Sequence, residues 1–295
     1  MARIQSPHIR GRPAMPTTIH PIRDIFVQAN GLRHHLVARG APGSPVVMLI
    51  HGLAGQAHVF DGIANHLAGR FHVYALDVRG RGETEWGPPD RYGTDTYVAD
   101  LEAIREALGL QRMALVGTSM GGTIAMYYAA LHPEWVDRAV LNDVGPEFDA
   151  AGVARILGYV TGAPEMFADM KAVTRYFREH YATVAKGLSE DQLTEFARYH
   201  VRKSDTGMYV WKMDPAIRKV PAQAAAMDPW KAFGAFRCPV LLLRGAESDL
   251  LSRAIAGRMA EALPALTVVE VPGVGHAPTL TEPAARQALD EFLAG

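Results

Sequence analysis

Residues 115–122 read L-V-G-T-S-M-G-G, a serine set among three glycines directly after an apolar run. Neighbours without a Cβ let a serine stand on a sharp strand-to-helix turn with its hydroxyl exposed. A base beside it would make that hydroxyl a nucleophile toward a carbonyl. The same letters also suit a plain tight loop. Because G-x-S-x-G arises by chance in roughly one chain in ten of this size, the flanking residues must decide. Met113–Val116 has the character of a short buried strand, and T-I-A-M-Y-Y-A-A from Thr123 that of a helix. Strand, turn and helix are the context such a nucleophile requires. The Met120 N–H, at the start of that helix, would then point where a negative oxygen develops, helped by the helix dipole.

A serine nucleophile needs a base and an acid, and three other strand-like runs end in suitable residues. His51 closes one in I-H-G-L-A-G, where Gly52 and Gly55 leave backbone amides free to face a reacting carbonyl. Asp249 follows Val240–Arg244 in R-G-A-E-S-D, and His276 follows the last run in P-G-V-G-H. The chain order is Ser, Asp, His, each in a loop after a strand. Glu247 lies close to Asp249.

These loops must be carried by a common frame. Asp24–Gln28 and Leu32–Arg39 flank Asn30-Gly31, a favoured two-residue hairpin turn. Pro45–Ile50, His72–Asp77, Met113–Val116, Ala139–Asp143, Val240–Arg244 and Thr267–Val271 are short apolar runs of the kind buried on both faces of a parallel sheet. Helical patterns lie between them. In Thr94–Leu108 the residues Tyr97, Leu101, Ile104 and Leu108 share one face, with Thr94 as N-cap. The alternation predicts an α/β fold with a doubly wound, mostly parallel eight-stranded sheet. From Phe148 to Lys231 the rhythm changes: the pattern is helical, a capping box opens at Ser189, and no strand is predicted. The expected organisation is an N-terminal arm over 1–23, a core from 24–147 and 232–295, and a helical insertion over 148–231.

Composition excludes several function classes. A formal charge of −1 leaves no basic excess for nucleic acid or an anionic membrane. The R-G-R-G run at Arg79–Gly82 reads as a loop. Cys238 is the single cysteine, so no internal disulfide framework exists, and no run has the length of a membrane span. The first residues carry arginine and proline but no apolar segment of a secretory signal, which favours a cytoplasmic address. His34 and His35 point to opposite faces of a strand, and His180 and His200 lack a ligand one turn away. Neither a metal nor a cofactor is expected.

Taken in order, H-G-L-A-G, D-V-R-G-R-G, G-T-S-M-G-G, the acid of R-G-A-E-S-D and the late G-H resemble the α/β-hydrolase superfamily from about residue 24 to the end. That resemblance implies Ser119 as nucleophile, His276 as its base and Asp249 as the residue orienting His276; some members carry the acid one strand earlier, where Asp143 in L-N-D-V-G-P stands as the alternative. It carries the oxyanion donors to the backbone of Leu53, or of Ala54, and of Met120. Asp77 matches a residue that shapes a loop in the family, and 148–231 resembles its cap, or lid. Trp211 and Met213, beside Asp214-Pro215, are expected at the mouth of the pocket.

A serine at the elbow suits acyl transfer rather than the epoxide or carbon–halogen chemistry of members with a carboxylate there. The leading expectation is hydrolysis of carboxylic esters of small to medium, moderately hydrophobic substrates. A lactonase or enol-lactonase, a perhydrolase and a carbon–carbon bond hydrolase are the alternatives; H-G-L-A-G lacks the extra glycines of many carbon–carbon hydrolases and lipases. A hydrolase-like receptor is the non-enzyme alternative. The expected partner is a small ester or lactone, not nucleic acid or membrane.

Overall fold

The computed structural model describes residues 20–219 and 225–295, so most of the arm expected over 1–23 lies outside the described residues. Strands β1 (Arg23–Ala29) and β2 (Leu32–Arg39) form the Asn30-Gly31 hairpin. They are followed by β3 (Val46–Ile50), α1 (Asp61–Leu67), β4 (His72–Leu76), α2 (Thr94–Ala107), β5 (Met113–Thr118), α3 (Met120–Leu131) and β6 (Val136–Asn142). After an insertion come α9 (Pro229–Gly234), β10 (Val240–Gly245), α10 (Arg253–Ala262), β11 (Leu266–Val271) and α11 (Pro283–Ala294). The eight strands run β1-β2-β4-β3-β5-β6-β10-β11 across one sheet. From β4 to β11 every neighbouring pair is parallel, and the pairs β1–β2 and β2–β4 are antiparallel. This is the eight-stranded, mostly parallel sheet expected from the runs.

Strand side chains alternate faces, and the apolar runs are apolar on both because both faces are covered. Met48, Ile50, Leu115, Leu141 and Leu242 turn toward α2, α3 and α10, against Leu101, Ile104, Ile124 and Met259. Val47, Leu49, Val116, Val140 and Leu243 turn the other way, against Ile63 and Leu67 of α1 and Leu289 and Leu293 of α11. Each such fully buried side chain contributes about 1.5–3 kcal/mol. The energy of the fold therefore holds the C-terminal ends of β3, β5, β6 and β10 in fixed register, and the chemistry-bearing loops leave from those ends.

The segment between β6 and β10 has its own core. It contains α4 (Ala150–Thr161), β7 (Met166–Phe167), α5 (Met170–His180), α6 (Ala182–Ala185), α7 (Glu190–Arg198), β8 (Val201–Lys203), β9 (Tyr209–Trp211) and α8 (Ala216–Lys219). The capping box at Ser189 is present. The absence of strands is corrected, because β7-β9-β8 form a small antiparallel sheet. Runs of two or three residues are too short to show a period of two. Trp211 and Met213, expected at a pocket mouth, are instead buried in this core with Phe167, Val173, Tyr176 and Phe177. The Trp211 indole donates to the Pro164 carbonyl at 2.7 Å. Among the described residues no helix is long and apolar enough to cross a membrane.

His200 closes this core. Its ring nitrogen Nδ1 meets the Phe196 carbonyl at 3.0 Å, and its ring lies 4.7 Å from that of Phe177. Burial disfavours the imidazolium and pushes its pKa down to about 3. The unfolded chain therefore binds a proton that the folded chain refuses, and stability falls as pH drops from about 6.5 toward 3. Urea midpoints measured at about pH 7.5 and about pH 4.5 should show this loss, and His200→Leu should reduce it. An equal loss in the variant would assign the acid sensitivity elsewhere.

Candidate active site

Ser119 stands between β5 and α3 with φ +52° and ψ −120°, a conformation seldom adopted outside glycine. Its own N–H donates to Asn142 O at 3.0 Å, and its carbonyl accepts from the N–H groups of Gly122 and Thr123. The turn is that sharp because α3 starts almost on top of β3. A Cβ on Gly121 would lie 1.9 Å from the Ile50 carbonyl oxygen, and one on Gly117 would lie 2.3 Å from the Gly121 oxygen. The glycines around the serine are thus required by backbone contact, and the serine side chain is what the turn presents outward.

His276 reaches it from the loop after β11. Its Nε2 is 3.0 Å from Ser119 Oγ, and its Nδ1 is 2.7 Å from Asp143 Oδ2. A carboxylate only accepts, so the proton of the second bond sits on Nδ1 and Nε2 is left to accept from the serine hydroxyl. Asp143 follows β6 with φ +55° and is fully buried. It also accepts from Gly245 N–H at 2.8 Å and from the Ser248 hydroxyl at 2.6 Å. Asn142 beside it donates to Thr118 Oγ1 and to the Pro278 carbonyl, tying the elbow strand to the His276 loop.

The expectation that Asp249 orients His276 is corrected by this geometry. Asp249 is more than one-third exposed and is held bidentately by Arg155 of α4, at 2.6 and 2.7 Å. The Arg155 guanidinium keeps its carboxyl below the usual range. The reason lies one residue earlier. The Ser248 hydroxyl accepts from the Leu250 and Leu251 N–H groups while donating to Asp143, and this turn sends the Asp249 side chain outward. Among the carboxylates weighed in the sequence, Asp143 is the one brought to the imidazole.

The loop after β3 is clamped by His51. Its ring accepts from Val78 N–H at 3.0 Å through Nε2, so Nδ1 carries the proton donated to the Gly52 carbonyl at 2.7 Å. Burial lowers its pKa to about 4, which keeps it neutral and this tautomer fixed. A Cβ on Gly52 would come 3.4 Å from Ser119 Cβ, so this loop lies against the elbow. The Met120 N–H opens α3 and has no partner within the helix. Asp77 shapes the neighbouring turn: its carboxylate accepts from Ala57 and Glu83 N–H and meets His35 at 2.7 Å. Burial opposes charge on both, yet this bond raises the pKa of His35 and lowers that of Asp77.

The alpha/beta hydrolase fold family matches residues 45–283. The chain belongs to the α/β-hydrolase family. A 3-hydroxybutyrate-oligomer hydrolase of Cupriavidus necator is 33% identical over 267 residues, 87% of this chain and 91% of that protein. A 2-(acetamidomethylene)succinate hydrolase of Mesorhizobium japonicum is 27% identical over 241 residues, 82% of this chain and 84% of that protein. Among solved structures, an alpha/beta hydrolase of Novosphingobium aromaticivorans is similar with a TM-score of 0.82 at 34% identity, covering 92% of this chain and 98% of its own. The relatives are hydrolases, and the chain is a hydrolase of this family.

Two outcomes follow from the geometry. Gly121→Ala should destabilise the fold by about 3 kcal/mol or prevent soluble expression, since backbone on both sides cannot yield; an unchanged urea midpoint would refute the close approach. Asp143→Asn should lower kcat by about 10⁴-fold, as in the serine proteases, while Asp249→Asn should cost less than about tenfold. Steady-state kinetics showing the reverse ranking would return the acid to Asp249.

Proposed function

We propose that this protein is a serine hydrolase that cleaves carboxylic esters of small to medium, moderately hydrophobic substrates through an acyl-enzyme. The observation that carries the reading is the continuous relay Ser119–His276–Asp143, with bonds of 3.0 and 2.7 Å. His276 takes the serine proton on Nε2 as Ser119 Oγ attacks the ester carbonyl. Asp143 holds the tautomer and stabilises the imidazolium. The developing oxyanion is received by the backbone N–H groups of Met120 and Leu53. His276 returns the proton to the leaving alkoxide, then takes one from water, which attacks the acyl carbon. The acid leaves and Ser119 regains its proton.

The relative from Cupriavidus necator supports an ester, because oligomers of a hydroxy acid are joined by ester bonds. The relative named for 2-(acetamidomethylene)succinate favours a second reading, hydrolysis of an acyl C–N bond by the same triad. Residues 148–231 serve as the cap. The insertion meets each loop around the serine. Gly152 N–H donates to Asp249 O, Lys186 reaches the Gly273 carbonyl at 3.5 Å, and Ala54 packs against the insertion core. Asp214 N–H donates to Gly80 O on the far side. A roof fastened to the loops leaves chemistry to the sheet and substrate choice to the insertion.

The test is a panel of p-nitrophenyl esters, a 3-hydroxybutyrate dimer and an N-acyl enamine acid, with intact-mass detection of the acyl-enzyme. Ester turnover should exceed amide turnover, and Ser119→Ala should lose about 10⁶ in kcat with its mass adduct. Retention of more than a few per cent of activity, or an adduct on another residue, would sink the assignment. Faster amide turnover would select the second reading.

A further inference from the structure

Arg81 lies in the turn after β4 and is 1% exposed, the first among the large fully buried side chains. Its neighbour Arg79 has a partner of opposite charge, the buried Asp100, at 2.6 and 2.7 Å. Arg81 has none: among the described residues no carboxylate forms an ion pair with it. Its guanidinium donates to the carbonyls of Leu53 at 2.9 Å and Arg79 at 2.8 Å, and to the Tyr97 hydroxyl at 3.0 Å. It also meets Met120 Sδ at 3.4 Å and lies over the Tyr97 ring, 5.2 Å from its centroid, so all these partners are neutral. Burying a cation against neutral acceptors alone is unfavourable, and a fold with no use for the charge would fill the space with an apolar side chain.

The acceptors identify the use. Leu53 and Met120 are the residues whose backbone N–H groups receive the oxyanion in the function proposed above. One planar fork grips the carbonyl of the first and the side chain of the second. His51 holds the adjoining Gly52 carbonyl, so two successive carbonyls of the oxyanion loop are pinned by side chains. We propose that Arg81 is a positioning residue for acyl transfer, which fixes both oxyanion donors and places a permanent positive charge behind them. Charge forms on the substrate oxygen only in the transition state, so this arrangement stabilises the transition state more than the bound ester.

The inference rests on the reading of Ser119 as nucleophile, and the experiment separates the two. Active sites are titrated to completion with a fluorophosphonate, and p-nitrophenyl butyrate turnover is expressed per labelled serine in wild type, Arg81→Met, Arg81→Lys and Met120→Leu. Affinity is measured for a butyl trifluoromethyl ketone, whose serine adduct carries an oxyanion, and for the matching alcohol, which forms none. Arg81→Met should lower kcat per site about 30- to 100-fold, with KM within about threefold. Ketone affinity should fall by a similar factor while the alcohol binds unchanged. Arg81→Lys, which keeps charge but not the fork, should lie between, and Met120→Leu should lose about threefold to tenfold. If Arg81→Met does not fold, the other two variants decide. Unchanged kcat per site and ketone affinity in those two would overturn the proposal, as would a fall only in labelled fraction and Tm. A wild type unlabelled at Ser119 would overturn the reading beneath it and the proposal with it.

Discussion

A fully buried carboxylate organises this molecule. Asp143 has no contact with water, and an isolated charge there would be strongly unfavourable. It is stabilised only because separate parts of the chain converge on it: the Gly245 N–H at the end of β10, the Ser248 hydroxyl in the following turn, and the imidazole of His276 after β11. Each partner is held by a strand whose register is set by the apolar layers on both faces of the sheet. The requirement to satisfy one carboxylate therefore fixes where β6, β10 and the His276 loop meet, and with them the position of the imidazole against Ser119 Oγ.

The same requirement explains which parts of the site were legible in the sequence. The elbow was legible because its cause is local: Gly117 and Gly121 sit beside Ser119 in the chain, and their close approach to backbone demands glycine whatever surrounds them. The eight strands were legible because a strand buried on both faces is an unbroken apolar run. The acid was not. Asp143 and Asp249 both follow strands, both precede His276, and both belong to loops rich in turn residues. What separates them is Arg155, 94 residues before Asp249, and the turn of Ser248, neither of which has a sequence period. The small sheet of the insertion was hidden for a related reason, since its strands are shorter than the pattern that would reveal them.

Two residues of D-V-R-G-R-G differ in a way that one-dimensional reading does not show. Arg79 and Arg81 are two positions apart, yet the first is neutralised by Asp100 and the second meets carbonyls, a thioether, and the hydroxyl and ring face of Tyr97. The difference comes from which way the turn after β4 faces. Asp77 bends that turn by taking the Glu83 amide, and the resulting path carries Arg81 to the Leu53 carbonyl in the loop after β3. A residue assigned to loop shape and a residue assigned to nothing become parts of one electrostatic arrangement.

The insertion has a core built largely from its own side chains, Phe177, Leu193 and Trp211 among them, while Ala216, Ile217, Met227 and Trp230 pack against the core beside the sheet. Polar links also fasten it to the loops. Arg155 holds Asp249, Lys212 pairs with Glu83 while its carbonyl accepts from the Trp86 indole N–H, and the Tyr92 hydroxyl donates to Asp214. Exposed ion pairs such as the first are individually weak, about 0–1 kcal/mol, and salt-sensitive. The Ser119–His276–Asp143 chain of bonds, by contrast, hangs on a fully buried carboxylate. The two carboxylates mark the difference: Asp143 is enclosed by partners that the sheet holds in register, and Asp249 lies at the surface on a guanidinium of the insertion.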